Sequence, residues 1–157
     1  MLEKIVSGGQ TGVDRAALDV ALERGMPCGG WCPKGRLAED GTIPARYPLT
    51  ETPSEIYAQR TEWNVRDSNG TLVLTRGRPS EGTAFTIETA AKWKKPYLVI
   101  DLGPVPSPHE DLRVAALSWI SQHDIRVLNI AGPRESKCPG IHEETRKFLK
   151  AMLEGLR

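Results

Sequence analysis

The chain has 157 residues, with 21 Lys and Arg against 20 Asp and Glu and a formal net charge of +1. That length suits one domain over residues 1–157, with a core that needs neither disulfides nor metal. Charge spread evenly along the chain offers no basic stripe to neutralise a nucleic-acid backbone, and no apolar run is long enough to span a bilayer. Three sparse cysteines, Cys28, Cys32 and Cys138, read as reduced thiols, and no secretory leader is visible, so the expected setting is the cytoplasm.

Residues 2–7 predict a strand that runs into Ser7-Gly8-Gly9-Gln10-Thr11-Gly12, and Val13 to Arg24 predicts a helix ended by Gly25. A strand, a glycine turn and a helix N-terminus together predict an anion site: glycines permit close backbone approach, and first-turn amides lack partners inside the helix. The spacing is neither Gly-x-Gly-x-x-Gly nor a Walker loop, so a dinucleotide fingerprint and a triphosphatase are both disfavoured. Met26 to Pro53 is rich in Gly and Pro, too long for an ordinary connector and therefore expected to be functional.

Ser54 is the expected N-cap of a helix to about Asp67, and Thr71-Leu72-Val73-Leu74 is a strand. Glu81-Gly82-Thr83 opens a helix through Trp93, stopped by Pro96, and Tyr97 to Ile100 is the next strand. Pro104 to Pro108 is a turn, His109 to about Gln122 a helix, and Ile125 to Ile130 the last strand. Ala131-Gly132-Pro133-Arg134-Glu135-Ser136 is a second glycine turn before a closing helix from about Ile141 to Leu156. Short apolar strands alternating with helices predict an α/β three-layer sandwich with a parallel sheet of about five strands. Ligands of such sheets bind beyond the C-terminal strand ends, where the flagged loops fall.

The segments Ser7-Gly-Gly-Gln-Thr-Gly-Val-Asp-Arg15, Gly30-Trp-Cys-Pro-Lys-Gly-Arg36, Gly82-Thr-Ala-Phe-Thr-Ile-Glu88 and Asn129-Ile-Ala-Gly-Pro-Arg-Glu-Ser136 together resemble the molybdenum-cofactor carrier family. That family is a circularly permuted branch of the SLOG superfamily of Rossmann-like, nucleotide-binding domains. The resemblance spans nearly the whole chain. It implies storage or delivery of molybdenum cofactor (molybdopterin), a phosphorylated pterin whose dithiolene holds the metal, without catalysis. It also implies a homo-oligomer, with molybdoenzymes or cofactor-synthesis proteins as partners.

For the ligand's phosphate, the resemblance implies the amides of Gly8, Gly9, Gln10, Thr11 and Gly12 and those after Gly132, with the hydroxyls of Thr11 and Ser136. Arg15 and Arg134 would add bidentate contacts, although Arg15 has Asp14 and Asp19 as alternative partners. Trp31, Lys34 and Arg36 would meet the pterin and metal end, Trp31 alternatively closing the core. Gly82, Thr83, Asn129, Pro133 and Glu135 complete the set carried over from the family's motifs.

The superfamily also contains phosphoribohydrolases with a Pro-Gly-Gly-x-Gly-Thr-x-x-Glu motif. Here Pro79-Ser80-Glu81 replaces its first glycines, and Glu88 falls two positions late. The alternatives are therefore a nucleotide N-glycosidase using Glu88 on a nucleotide monophosphate, or a nucleotide sensor. Cys28, Cys32, Cys138 and His142 are spaced too loosely to define a zinc site, and none is expected.

Overall fold

The computed structural model describes residues 1–104 and 109–156. In chain order the elements are β1 (Lys4–Val6), α1 (Val13–Glu23), β2 (Cys28–Gly29), β3 (Trp31–Cys32), β4 (Leu37–Ala38), β5 (Gly41–Thr42) and β6 (Thr50–Glu51). They continue with α2 (Tyr57–Arg66), β7 (Gly70–Thr75), α3 (Glu81–Lys92), β8 (Tyr97–Asp101), α4 (Glu110–Gln122), β9 (Val127–Ala131) and α5 (Ile141–Glu154).

Five strands form one parallel sheet in the order β2-β1-β9-β7-β8. All six residues of β7 are buried, as a central strand covered on both faces requires. Helices α1, α4 and α5 pack together on one face, and α2 and α3 on the other. Ala16, Ala17, Val20 and Ala21 are fully enclosed, their small side chains letting α1 lie close to α5. Helix α5 returns Ile141, Phe148, Leu149 and Met152 at helical spacing.

The topology carries a permutation that can be read by counting. If the five sheet strands are numbered from β7 onward, joining the C-terminus to the N-terminus, the order becomes 2-1-3-4-5, that of a doubly wound sheet. Its switch point lies between β7 and β9, whose following loops leave toward opposite faces. A crevice opens beyond their C-terminal ends.

Three boundaries differ from the sequence reading. The fifth strand is β2, only two residues inside the glycine-rich stretch, too short to leave a periodic signal. Ser54 does not cap α2; its hydroxyl accepts the Ile56 amide at 3.0 Å in a turn before the helix. The last strand starts at Val127, because Ile125 still donates to the Ile120 carbonyl at 3.0 Å in the turn that closes α4. Of the predicted turn at Pro104 to Pro108, residues 105–108 lie outside the described residues.

The long segment is a packed annex. Its short strands pair as β3-β6 and β4-β5, and Ile43 and Tyr47 form a small core with Leu18 and Cys32. Among the described residues, no helix is long and apolar enough to cross a membrane.

Gly132 fixes the meeting of the β9 and β1 loops. A Cβ there would fall 2.2 Å from the Leu74 carbonyl oxygen and 2.6 Å from a Val13 methyl. Gly132→Ala is expected to destabilise the fold by about 2 kcal/mol or more, read by urea unfolding; a loss under about 0.5 kcal/mol would show the contact to be slack.

Candidate functional site

A cleft of about 710 Å³ opens at the switch point, within the size range of small-molecule sites. Its walls come from four places: Gly8, Gln10 and Asp14 at the β1–α1 junction, Tyr57, Arg60 and Asn64 on α2, Ser80 to Thr83 with Phe85 and Thr86 at the start of α3, and Asn129 with Ala131 to Arg134 and Lys137 after β9. The structure thus brings together Gly8, Gln10, Gly82, Thr83, Asn129, Gly132, Pro133 and Arg134 from the sequence-derived set.

The two helix N-termini that face this region are in different states. At α1, the Val13 amide donates to the Pro133 carbonyl at 3.3 Å, and Gly12 is pressed so close to Pro133 and Glu135 that a Cβ would lie 2.3 Å from a carbonyl oxygen. The Arg15 amide donates to the Gln10 carbonyl at 3.0 Å. This end of the macrodipole is therefore already served by protein acceptors. At α3, no side chain caps the first turn, and a Cβ on Gly82 would meet nothing within 4 Å. Its outward amides remain the open anion-binding end.

Other sequence-derived residues are engaged elsewhere. Thr11 and Ser136 donate their hydroxyls to Glu39, which also accepts the Ser136 amide at 3.2 Å, while Thr11 accepts the Glu135 amide at 3.1 Å. Desolvation pushes the Glu39 carboxyl up, but the bonds from Ser136 and Thr11 and the charge of Arg134 outweigh it and hold it below the usual range. Arg15 is spent on Asp40, at 2.6 Å, and on the Gly9 carbonyl, at 3.0 Å. Gly9 lies against Ile43 and Leu49. The carboxylate of Glu135 accepts the amides of Gly140 and His142, closing the loop ahead of α5.

Trp31 donates its Nε1 to Asp67 at 2.8 Å and meets Trp63 edge-on, Lys34 is exposed, and Arg36 donates to the carbonyls of Ile43, Pro44, Tyr47 and Leu49. None of these three lines the cleft. Nor does Glu88, which is exposed on α3.

Among the cleft residues not singled out from sequence are Asp14 as an acceptor, Tyr57, Arg60 and Lys137. Tyr57 reads as an ordinary apolar helix position, yet its ring has the Arg60 guanidinium at 5.1 Å and that of Arg134 at 5.9 Å. Arg60 is buried and donates to the Gly8 carbonyl at 2.8 Å, with Asp14 3.9 Å away. The signal available was the Arg60-x-x-x-Asn64 spacing on α2, which puts two polar side chains on the face turned to the sheet.

The cleft lining contains no cysteine or histidine. Burial pushes the Cys28 and Cys32 thiols up, and His142 pairs with Asp19 at 2.9 Å. Among the described residues there is no group of three or more His, Cys, Asp or Glu side chains that could hold a metal ion.

A permuted doubly wound sheet, with a cleft at its switch point, defines a ligand-binding domain of the Rossmann-like class. The chain belongs to the circularly permuted YpsA SLOG family, whose model matches residues 5–153. A comparison with curated proteins gave no match. Among solved structures, a protein of Syntrophus aciditrophicus named "Putative molybdenum carrier protein" is 49% identical, with a TM-score of 0.93 over 97% of this chain and 95% of that one.

Burial raises Asp14 from 3.8 to about 6, against the opposing charge of Arg60, the amides of Gln10 and Gly132, and the charge of Arg15. A carboxyl whose folded pKa exceeds its unfolded one contributes stability that is whole below the unfolded value and is lost as pH rises through the folded one. For Asp14 that window runs from 3.8 to about 6, and the loss at pH 7 approaches about 3 kcal/mol. Asp14→Asn is therefore expected to be more stable than the parent by about 1–2 kcal/mol at neutral pH, with the gap closing near pH 4 in denaturant titrations. A gap that widens toward acid would contradict this reading.

Proposed function

We propose that the protein binds a phosphorylated small molecule in the switch-point cleft and acts as a carrier, with its phosphate at the N-terminus of α3. The observation that carries this reading is the uncapped first turn of α3, Glu81 to Thr83, which lines the same cleft as Arg134 and Lys137. Unpartnered amides at the positive end of a helix, in a cleft that also holds two cations, suit a phosphate dianion. Arg134, resting on the Tyr57 ring, is preorganised for a bidentate contact.

Molybdenum cofactor is the ligand this reading favours, supported by family membership and by the name of the Syntrophus protein. The residues present fit its organic part: donors for a phosphate at α3, and polar groups at the α1 end for a heterocycle. With no sulfur or imidazole in the lining, the protein would hold the cofactor through phosphate and pterin, leaving the metal's own ligands intact. A nucleotide monophosphate offers the same phosphate to α3 and is the alternative ligand. Hydrolysis of such a nucleotide would call on Glu88, whose place outside the cleft favours binding over that chemistry. In this proposal the carrier works in the cytoplasm, as a homo-oligomer, handing its ligand to molybdoenzymes or cofactor-synthesis proteins.

Equilibrium titration with molybdenum cofactor under anaerobic conditions, and with AMP, tests the assignment. Arg134→Ala is expected to weaken binding of whichever phosphate ligand is held by about 1.5–3 kcal/mol, with Glu88→Gln unchanged. Equal affinities for parent and Arg134→Ala would remove the arginine from the phosphate site.

A further inference from the structure

The α1 end of the cleft holds a complementary pair of groups that the phosphate does not use. Asp14 is 6% exposed and Gln10 4%, and both line the cleft. The Gln10 side-chain carbonyl accepts the amides of Thr11 at 3.0 Å and Glu39 at 2.9 Å, which fixes the orientation of the group. Its Nε2 is enclosed and has no hydrogen-bond partner among the described residues. Buried amide nitrogens are normally satisfied, so an orphan beside a cleft points to an acceptor supplied from outside the chain. Asp14 presents the opposite polarity. It faces two backbone amides, and Arg60, at 3.9 Å, lies beyond hydrogen-bond distance, so a carboxylate with about four acceptor positions keeps capacity for further donors.

We propose that Asp14 and Gln10 form an acceptor–donor pair that reads a lactam edge, a ring N–H next to a ring carbonyl, on the heterocycle of the phosphorylated ligand. Asp14 accepts the ring N–H, and any adjacent exocyclic amine, while the Gln10 amide donates to the carbonyl. The proposal rests on the phosphate reading above and extends it by fixing the ligand's direction: phosphate at α3, ring at the α1 loop. Hypoxanthine, guanine and pterins all carry this edge, whereas adenine reverses it, offering an acceptor nitrogen to the carboxylate and an amine to the amide. Sites built to hydrogen-bond one polar pattern discriminate strongly against its reversal.

The test is equilibrium titration of the full chain with AMP, IMP and a pterin monophosphate at about pH 8, where Asp14 is ionised. IMP, the pterin phosphate or both should bind at least about tenfold tighter than AMP, and which of the two does so identifies the ring source. Asp14→Asn should cut that preference to within about threefold, and Gln10→Met, which keeps the volume, should reduce it in the same direction. Should Asp14→Asn fail to fold, the parent's ratios together with Gln10→Met still decide. Equal binding of all three phosphates, or a preference that survives both variants, overturns the edge-reading role and leaves the phosphate reading standing. Binding of none of the three overturns the phosphate reading itself.

Discussion

Where the loops after β1 and β9 meet, the Pro133 carbonyl takes the first amide of α1, that of Val13, at 3.3 Å, and this contact settles which helix end stays open. With α1 closed by the Pro133 carbonyl and the near-contact of Gly12 with the second loop, the glycine turns become a joint between strands. The anion-binding capacity moves one strand across the switch point, to the uncapped start of α3. Much of the remaining geometry follows from this joint. Gly132 has no room for a Cβ, Arg60 is drawn in beside Asp14 and the Gly8 carbonyl, and Tyr57 is left between two guanidinium groups at the cleft's edge.

The annex between β2 and α2 does a related job from the opposite side. Arg36, with φ of 54°, gathers four backbone carbonyls and holds the segment in one shape. That places the Glu39–Asp40 turn where its carboxylates take Thr11, Ser136 and Arg15. Two acidic side chains thus occupy donors that would otherwise compete with α3 for a phosphate. A ligand entering the cleft meets one open helix end, in keeping with a site that binds a molecule in a single orientation.

The alternation of strands and helices was legible in the sequence because α1 and α5 have clear helical spacing and β7 carries the apolar run Leu72-Val73-Leu74. The loops that carry the site were legible too, since the glycines at 8, 82 and 132 mark the turns after β1 and β9 and the start of α3, and all three reach the cleft. Less accessible was which donors would remain free. First-turn amides are orphans within their own helix, but at α1 that of Val13 finds its partner in a loop far along the chain, a tertiary fact with no local signature. Trp31, Lys34 and Arg36 lie in a segment whose length suggests a functional loop, yet Ile43 and Tyr47 give it a core of its own. Asp14 and Arg60 were hidden for the converse reason: charged residues on helices usually face solvent, and only the fold shows these two buried against the sheet's C-terminal edge.

Whether the phosphate end of the ligand is held at α3 is tested most directly by backbone amide NMR during titration with inorganic phosphate, whatever the rest of the ligand is. Shifts of the Glu81, Gly82 and Thr83 amides are expected, with those of Gly9 and Gly12 unmoved. Saturable shifts confined to the Gly8 to Gly12 turn, with α3 silent, would contradict a phosphate site at α3.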